Sequence, residues 1–160
     1  MEMNAALILL PVVKKNRKTF EKTILVNNNK VKNFRQDEVD TDYTLVYYAT
    51  FRKRTKRDEL KVALTVAQVD ARVREEANEP VIPLYITKKG GQYKQKKVIN
   101  RVEYINVDSW VWAWNNSDGV TCTIWIDEGA FELIKLEANH TIEQISARAS
   151  ASASFSESGI

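Results

Sequence analysis

The feature that most constrains this chain is that it resembles itself. Thr65-Val66-Ala67-Gln68-Val69-Asp70-Ala71-Arg72 reads against Thr141-Ile142-Glu143-Gln144-Ile145-Ser146-Ala147-Arg148, with four identities and two Val/Ile exchanges. A repeat is read before any other pattern, because each unit buries its apolar surface against its neighbour. The physical content is shared as well. Thr-x-x-Gln is a capping box, in which the Thr hydroxyl accepts from the N3 amide and the Gln side chain reaches back to the cap amide. Val66, Val69 and Val73 in one segment, and Ile142 and Ile145 in the other, then fall on one face of a short helix.

The rest of the chain lines up behind these two segments. Residues 7–15 resemble 81–89, 23–34 match 102–114, 43–51 match 120–126, and 59–64 match 131–136. The offset drifts between 72 and 80, as loop insertions produce, and Gly90-Gly91 is read as one such hairpin turn. Period-two alternation and β-branched or aromatic content make these segments strands. In 120–126, Val120, Cys122, Ile124 and Ile126 share one face, and Thr121, Thr123 and Trp125 the other. Asn27-Asn28-Asn29 and residues 115–119 supply turn chemistry.

The expectation is a mainly β (α+β) protein, a tandem duplication of a four-stranded antiparallel meander followed by a capped helix. Residues 1–77 form the first repeat, 78–149 the second, and 150–160 a Ser/Ala-rich tail. A module of about 75 residues is marginal alone, so extensive contact between the copies is expected.

Several function classes lose support on the same reading. No apolar run approaches the roughly 20 residues that span a bilayer, so no membrane partner is expected. Residues 5–13 are apolar but lack a basic leader, and Lys14 and Lys15 follow them, which reads as a strand rather than a signal peptide. The single Cys122 excludes an intrachain disulfide and is expected to pack as a small hydrophobe. A metal site needs several ligands, and His140 is the only histidine. Asp37, Glu38, Asp40 and Asp42 lack EF-hand spacing and read as a solvated loop. No phosphate-binding glycine motif surrounds Gly90-Gly91. No catalytic residue, cofactor or metal is expected, and the chain reads as a non-enzyme.

Positions that differ in kind between the copies are the informative ones. Aligning residues 29–34 with 109–114 pairs Lys30 with Trp110, Lys32 with Trp112, and Phe34 with Trp114. One strand face is therefore expected to carry three tryptophans, with Trp125 beside them. That face is either closed within the chain or is a permanent protein interface, where tryptophan is enriched. A platform for stacking bases is disfavoured, because Asp108 and Asp118 rather than cations flank it. Phe155 and Ile160, the only large apolar residues of the tail, join Trp110, Trp112, Trp114 and Trp125 as candidate interface residues.

Charge is also uneven. Residues 1–78 hold 16 Lys+Arg against 11 Asp+Glu, and residues 79–160 hold 8 against 10. In the first copy, Lys14, Lys15, Arg17 and Lys18, with Arg52, Lys53, Arg54, Lys56 and Arg57, fall at one end of a meander. In the second, Lys88, Lys89, Lys94, Lys96 and Lys97 stand against Asp127-Glu128-Gly129. Such basic tips either stay solvated, grip phosphates without sequence preference, or meet an acidic patch on a neighbouring protein.

Tyr104-Ile105-Asn106-Val107-Asp108-Ser109-Trp110, Thr123-Ile124-Trp125-Ile126-Asp127-Glu128-Gly129 and Thr141-Ile142-Glu143-Gln144-Ile145 give a strand, turn, strand, hairpin and capped helix. This order resembles the small β-rich structural proteins of tailed bacteriophages, including crAss-like phages. It also resembles LytTR-type DNA-binding domains, although the hairpin loop that would approach DNA is acidic here. The phage resemblance implies a virion protein assembled in the host cytoplasm, as head decoration, connector or ring. Its implied partners are copies of itself and other structural proteins. The alternative is a nucleic-acid-binding protein that uses the basic hairpin loops of the first repeat.

Overall fold

The computed structural model describes residues 7–13, 20–27, 30–48, 58–76, 81–91, 95–127 and 133–148. These form one antiparallel sheet of ten strands with two short helices. The first half contributes β1 (Leu7–Val13), β2 (Phe20–Asn27), β3 (Val31–Gln36), β4 (Thr44–Tyr48) and β5 (Asp58–Val62), then α1 (Val66–Glu76). The second contributes β6 (Val81–Gly91), β7 (Lys97–Asn106), β8 (Trp110–Asn115), β9 (Cys122–Ile126) and β10 (Ile134–Ala138), then α2 over residues 142–148.

Among the described residues each half has five strands rather than the expected four, and neither is a simple meander. The stretches 23–34 and 102–114, read as single strands, are each broken in two. In the second half the break is a 3-10 turn, Val107–Ser109, where the Asn106 side chain accepts from the Asp108 amide. The strand order is β2-β1-β5-β4-β3-β7-β6-β10-β9-β8. Thus β5 returns to pair with β1 and β10 with β6, and the two halves have the same connectivity. The registers agree as well. Leu9 faces Leu25 and Leu10 faces Ile24, as Pro83 faces Tyr104 and Leu84 faces Glu103.

Local chemistry explains the element ends. The Thr65 hydroxyl accepts from the Gln68 amide at 3.2 Å, and the Gln68 side chain accepts from the Thr65 amide at 2.9 Å. Thr141 and Gln144 repeat this at 3.2 and 2.9 Å. Gly90 and Gly91 lie inside β6 rather than in a turn, and a Cβ on Gly90 would sit 2.9 Å from the Lys96 backbone, so only glycine fits. Val120, expected on the inner face of its strand, lies outside β9 and is exposed.

The core is two clusters, one on each face of the sheet. Ile8, Leu10, Val31, Phe34, Val46 and Val62 pack under Val69 and Val73 of α1. Ile82, Leu84, Ile86, Ile105, Ile124, Ile126 and Leu136 pack under Ile145 of α2. Cross-strand partners share a face and neighbours along a strand alternate. Phe34 pairs with Tyr104, whereas Asn33 pairs with Ile105, so the clusters lie on opposite sides. Each half therefore has one face covered by a helix and one left open. Equivalent strands stand five places apart in an all-antiparallel sheet and run in opposite directions. A half-turn about an axis across the strands, combined with a translation, superposes the topology of one half on the other.

The halves meet where β3 pairs with β7. On one face Phe34 stacks on Tyr104, with ring centroids 5.0 Å apart. On the other, Glu103 is fully buried and accepts from Asn33 at 3.0 Å, Lys89 at 3.3 Å and Arg101 at 2.9 Å. Lys32 with Asp108 and Arg101 with Glu38 cross the same seam, both at 2.7 Å.

Candidate functional site

The β8–β9 hairpin carries the tryptophans, and a bulge between Trp110 and Trp112 sorts them. A bulge inserts one extra residue and so changes which face the following side chains occupy. Trp112 and Trp114 lie on the open face with Trp125, at centroid distances of 6.1 and 6.5 Å from it. The Lys135 ammonium sits 5.5 Å above the Trp125 ring. Trp112 and Trp114 are 51% and 46% exposed, which leaves this face open rather than closed by the other half. Trp110 does not join them. It packs on the opposite side, against the cluster under α2.

The strand pairings correct the alignment between the halves, because the bulge is present in both. β3 has its own irregularity between Val31 and Asn33. Register-equivalent positions are therefore Val31 and Trp110, Asn33 and Trp112, Phe34 and Ala113, Arg35 and Trp114. The expected pairing of Lys30, Lys32 and Phe34 with tryptophans is one residue out.

Behind β8, Trp110, Ala113, Val107, Ile82, Ile142, Ile145 and Ser146 line an apolar pocket of about 280 Å³. The indole N–H of Trp110 is buried without an acceptor among the described residues. At the far edge of the sheet, Leu7, Leu9 and Leu25 lie on the open face of β1 and β2, between 51% and 59% exposed. The sequence pattern did not single out these leucines. Their signal was available only once register placed Leu25 opposite Leu9, in the positions held by Tyr104 and Pro83.

The titratable clusters of the described residues are paired with one another. Burial pushes the Glu103 carboxyl up, but the charges and hydrogen bonds of Lys89 and Arg101 outweigh it and hold it below the usual range. The acidic loop is not simply solvated. Asp37 and Asp40 clamp the Lys61 ammonium at 3.5 and 3.1 Å, and Glu38 reaches Arg101. The hydrogen bond to Asp40 leads the causes that raise the Lys61 pKa. Burial pushes the Cys122 thiol up to about 11. His140 Nε2 accepts from the Tyr85 amide at 3.3 Å, and burial lowers its pKa. Among the described residues, no group of His, Cys, Asp and Glu is arranged to hold a metal ion.

Lys89 and Lys96, expected in a basic tip, pair with Glu103 and Glu137. Lys14, Lys15, Arg17, Lys18, Arg52, Lys53, Arg54, Lys56 and Arg57 lie outside the described residues, as do Lys94, Glu128, Gly129, Phe155 and Ile160. No helix of the described residues is long and apolar enough to cross a membrane.

Fold and site define a mainly β protein whose single antiparallel sheet ends in an exposed aromatic hairpin. Comparison with known protein families, with curated proteins and with solved structures returned no match.

Proposed function

We propose that this chain is a non-enzymatic structural subunit of a larger assembly, derived by tandem duplication of one five-stranded module. A tailed-phage virion, in a head decoration, connector or ring role, is the setting suggested by the resemblance of its sequence. The single observation that carries the reading is the exposed pair Trp112 and Trp114 on a two-stranded outer hairpin. Two half-exposed indoles side by side on one hairpin are costly to leave in water and are typical anchors of protein interfaces.

Two further observations support it. Shared connectivity, matched registers and repeated capping contacts are what duplication of a module leaves behind. The charged clusters are mutually neutralised: a lysine held by two carboxylates is a poor nucleophile, and a carboxylate below its usual pKa is a poor base.

The test replaces Trp112 and Trp114 with Ser and reads mass by light scattering, with circular dichroism to confirm folding. The reading expects loss of assembly in a folded protein. Unchanged assembly would count against the tryptophans as anchors. A monomer that binds DNA with steep salt dependence, lost on replacing Arg52, Arg54 and Arg57 with Ser, would instead favour nucleic-acid binding.

A further inference from the structure

We infer that the partner of the outer strands is a second copy of this chain, joined head to tail, with β8 of one copy pairing β2 of the next. The inference rests on the assembly reading above and names its interface. Its template is the seam already present inside the molecule.

Because the halves share connectivity and register, β3 is equivalent to β8, and β2 is equivalent to β7. The inner pair β3–β7 is made. Among the described residues, β2 and β8 are the outer strands of the sheet. An outer strand presents backbone groups to any complementary strand. Carrying the inner register outward sets Phe34 opposite Tyr104 onto Ala113 opposite Leu25, and Asn33 opposite Ile105 onto Trp112 opposite Val26. Ten strands on, the next copy runs in the same direction with its helices on the same faces.

Side chains agree with this placement on both faces. Inside the molecule, Val81 and Tyr104, from the open face of β6 and β7, complete the apolar cluster under α1. Their equivalents in the first half are Leu7 and Leu25, which are exposed together with Leu9. The equivalent of the position that Val81 and Tyr104 occupy under α1 is the pocket under α2, where Ile142, Ile145, Trp110 and Ala113 leave about 280 Å³ open. One end of the chain thus carries three apolar knobs, and the other end carries an apolar socket. On the second face, the buried polar contact of Asn33 with Glu103 becomes Trp112 against Ile24, again apolar on both sides.

Net charge points the same way. The docking joins the first half of one copy, with 16 Lys+Arg to 11 Asp+Glu over residues 1–78, to the second half of another, with 8 to 10. Such a contact is heterologous: it gives a ring where the rotation closes and an open chain where it does not. The close contacts are apolar, so once formed they should persist in high salt.

The experiment is a capping trap. Leu25→Asp removes a knob, and Ser146→Arg places a long cation across the socket mouth. Both positions are exposed, so both variants are expected to fold. Sedimentation velocity over a hundredfold concentration range should show the parent chain forming a discrete ring or a concentration-dependent ladder. Each variant alone should be a monomer. Mixed one to one, they should form a dimer of twice the 18.4 kDa chain and nothing larger, since only one good knob and one good socket remain. If the parent assembles and both variants assemble as it does, the head-to-tail seam is wrong while the assembly reading stands. If the parent is monomeric throughout, self-docking is overturned, and the socket is then filled by the chain's own tail or left for a different protein. Failure of assembly only in Trp112→Ser/Trp114→Ser, with both capping variants assembling normally, would also sink the seam.

Discussion

Glu103 shows most plainly how one residue commits the two halves to each other. A fully buried carboxylate is tolerable only when its charge and lone pairs are answered, and here Lys89, Arg101 and Asn33 answer them. Glu103→Ala should cost about 3 kcal/mol, because it strands two partly buried cations. Chemical denaturation of the folded variant would measure this, and a loss below about 1 kcal/mol would mean the cluster is wetter than its geometry indicates. The pH dependence follows from the direction of the shift. A carboxyl held below its ordinary value of about 4.3 contributes stability that is full above that value and drains away as pH falls through the lower folded pKa. Asp37 shifts the same way: burial opposes the shift, but hydrogen bonds from Val39 and Asp40 and the charge of Lys61 outweigh it. Midpoint denaturant concentration should therefore decline slightly as pH falls below about 6.5, where the lowered pKa of His140 makes its protonation unfavourable in the folded state, and fall further below about pH 4 as the carboxylates protonate. In Glu103→Gln that acid-induced fall should be smaller.

At the scale of the element, the two capping boxes make a matched pair of predictions. Thr65→Ala and Thr141→Ala should each destabilise by about 1 kcal/mol, the usual cost of losing an N-cap oxygen. Serine at either site should restore most of it. The helix starts were legible because a capping box is local: four residues contain the whole mechanism. β1 and β6 were legible for a similar reason, through continuous short apolar runs bounded by charged residues. The break after Asn27 left a turn signal in Asn27-Asn28-Asn29, but the break after Asn106 was not legible as a boundary, because apolar alternation resumes on both sides of it. The bulge before Trp112 was hidden too, since an extra residue leaves no mark in composition. That one residue puts Trp110 on the face opposite Trp112, and aligning the strands one residue out set Trp114 rather than Ala113 against Phe34, which concealed the socket. Glu103 was invisible for another reason. Arg101 is its neighbour on β7, but Asn33 and Lys89 come from β3 and β6, and only strand pairing brings them to it.

Over the whole molecule the two cores are unequal, and this sets an order of opening. The first cluster takes Val81 and Tyr104 from the second half, whereas the second cluster is built from residues of its own half. Loosening β6 and β7 therefore opens both cores, but loosening β1 to β5 leaves the second core with its own buried residues in place. Sub-global openings should expose the first half while the second stays folded, and the reverse state should not be populated. Native-state hydrogen exchange at neutral pH tests this directly. Amides of β9 and β10 should exchange only through global unfolding, and those of β4 and β5 through a smaller opening of lower free energy. Tyr104→Ala sharpens the test. It removes the ring that stacks on Phe34 and should lower protection in β4 and β5 more than in β9 and β10, although the substituted residue belongs to the second half. Equal loss in both halves would mean that the sheet opens as one unit and that the unequal sharing of side chains has no energetic consequence. In a head-to-tail assembly, the same coupling would extend between chains. Leucines of one copy would complete the core under α2 of the next, so assembly should raise protection in β8 and β9 above that of the monomer.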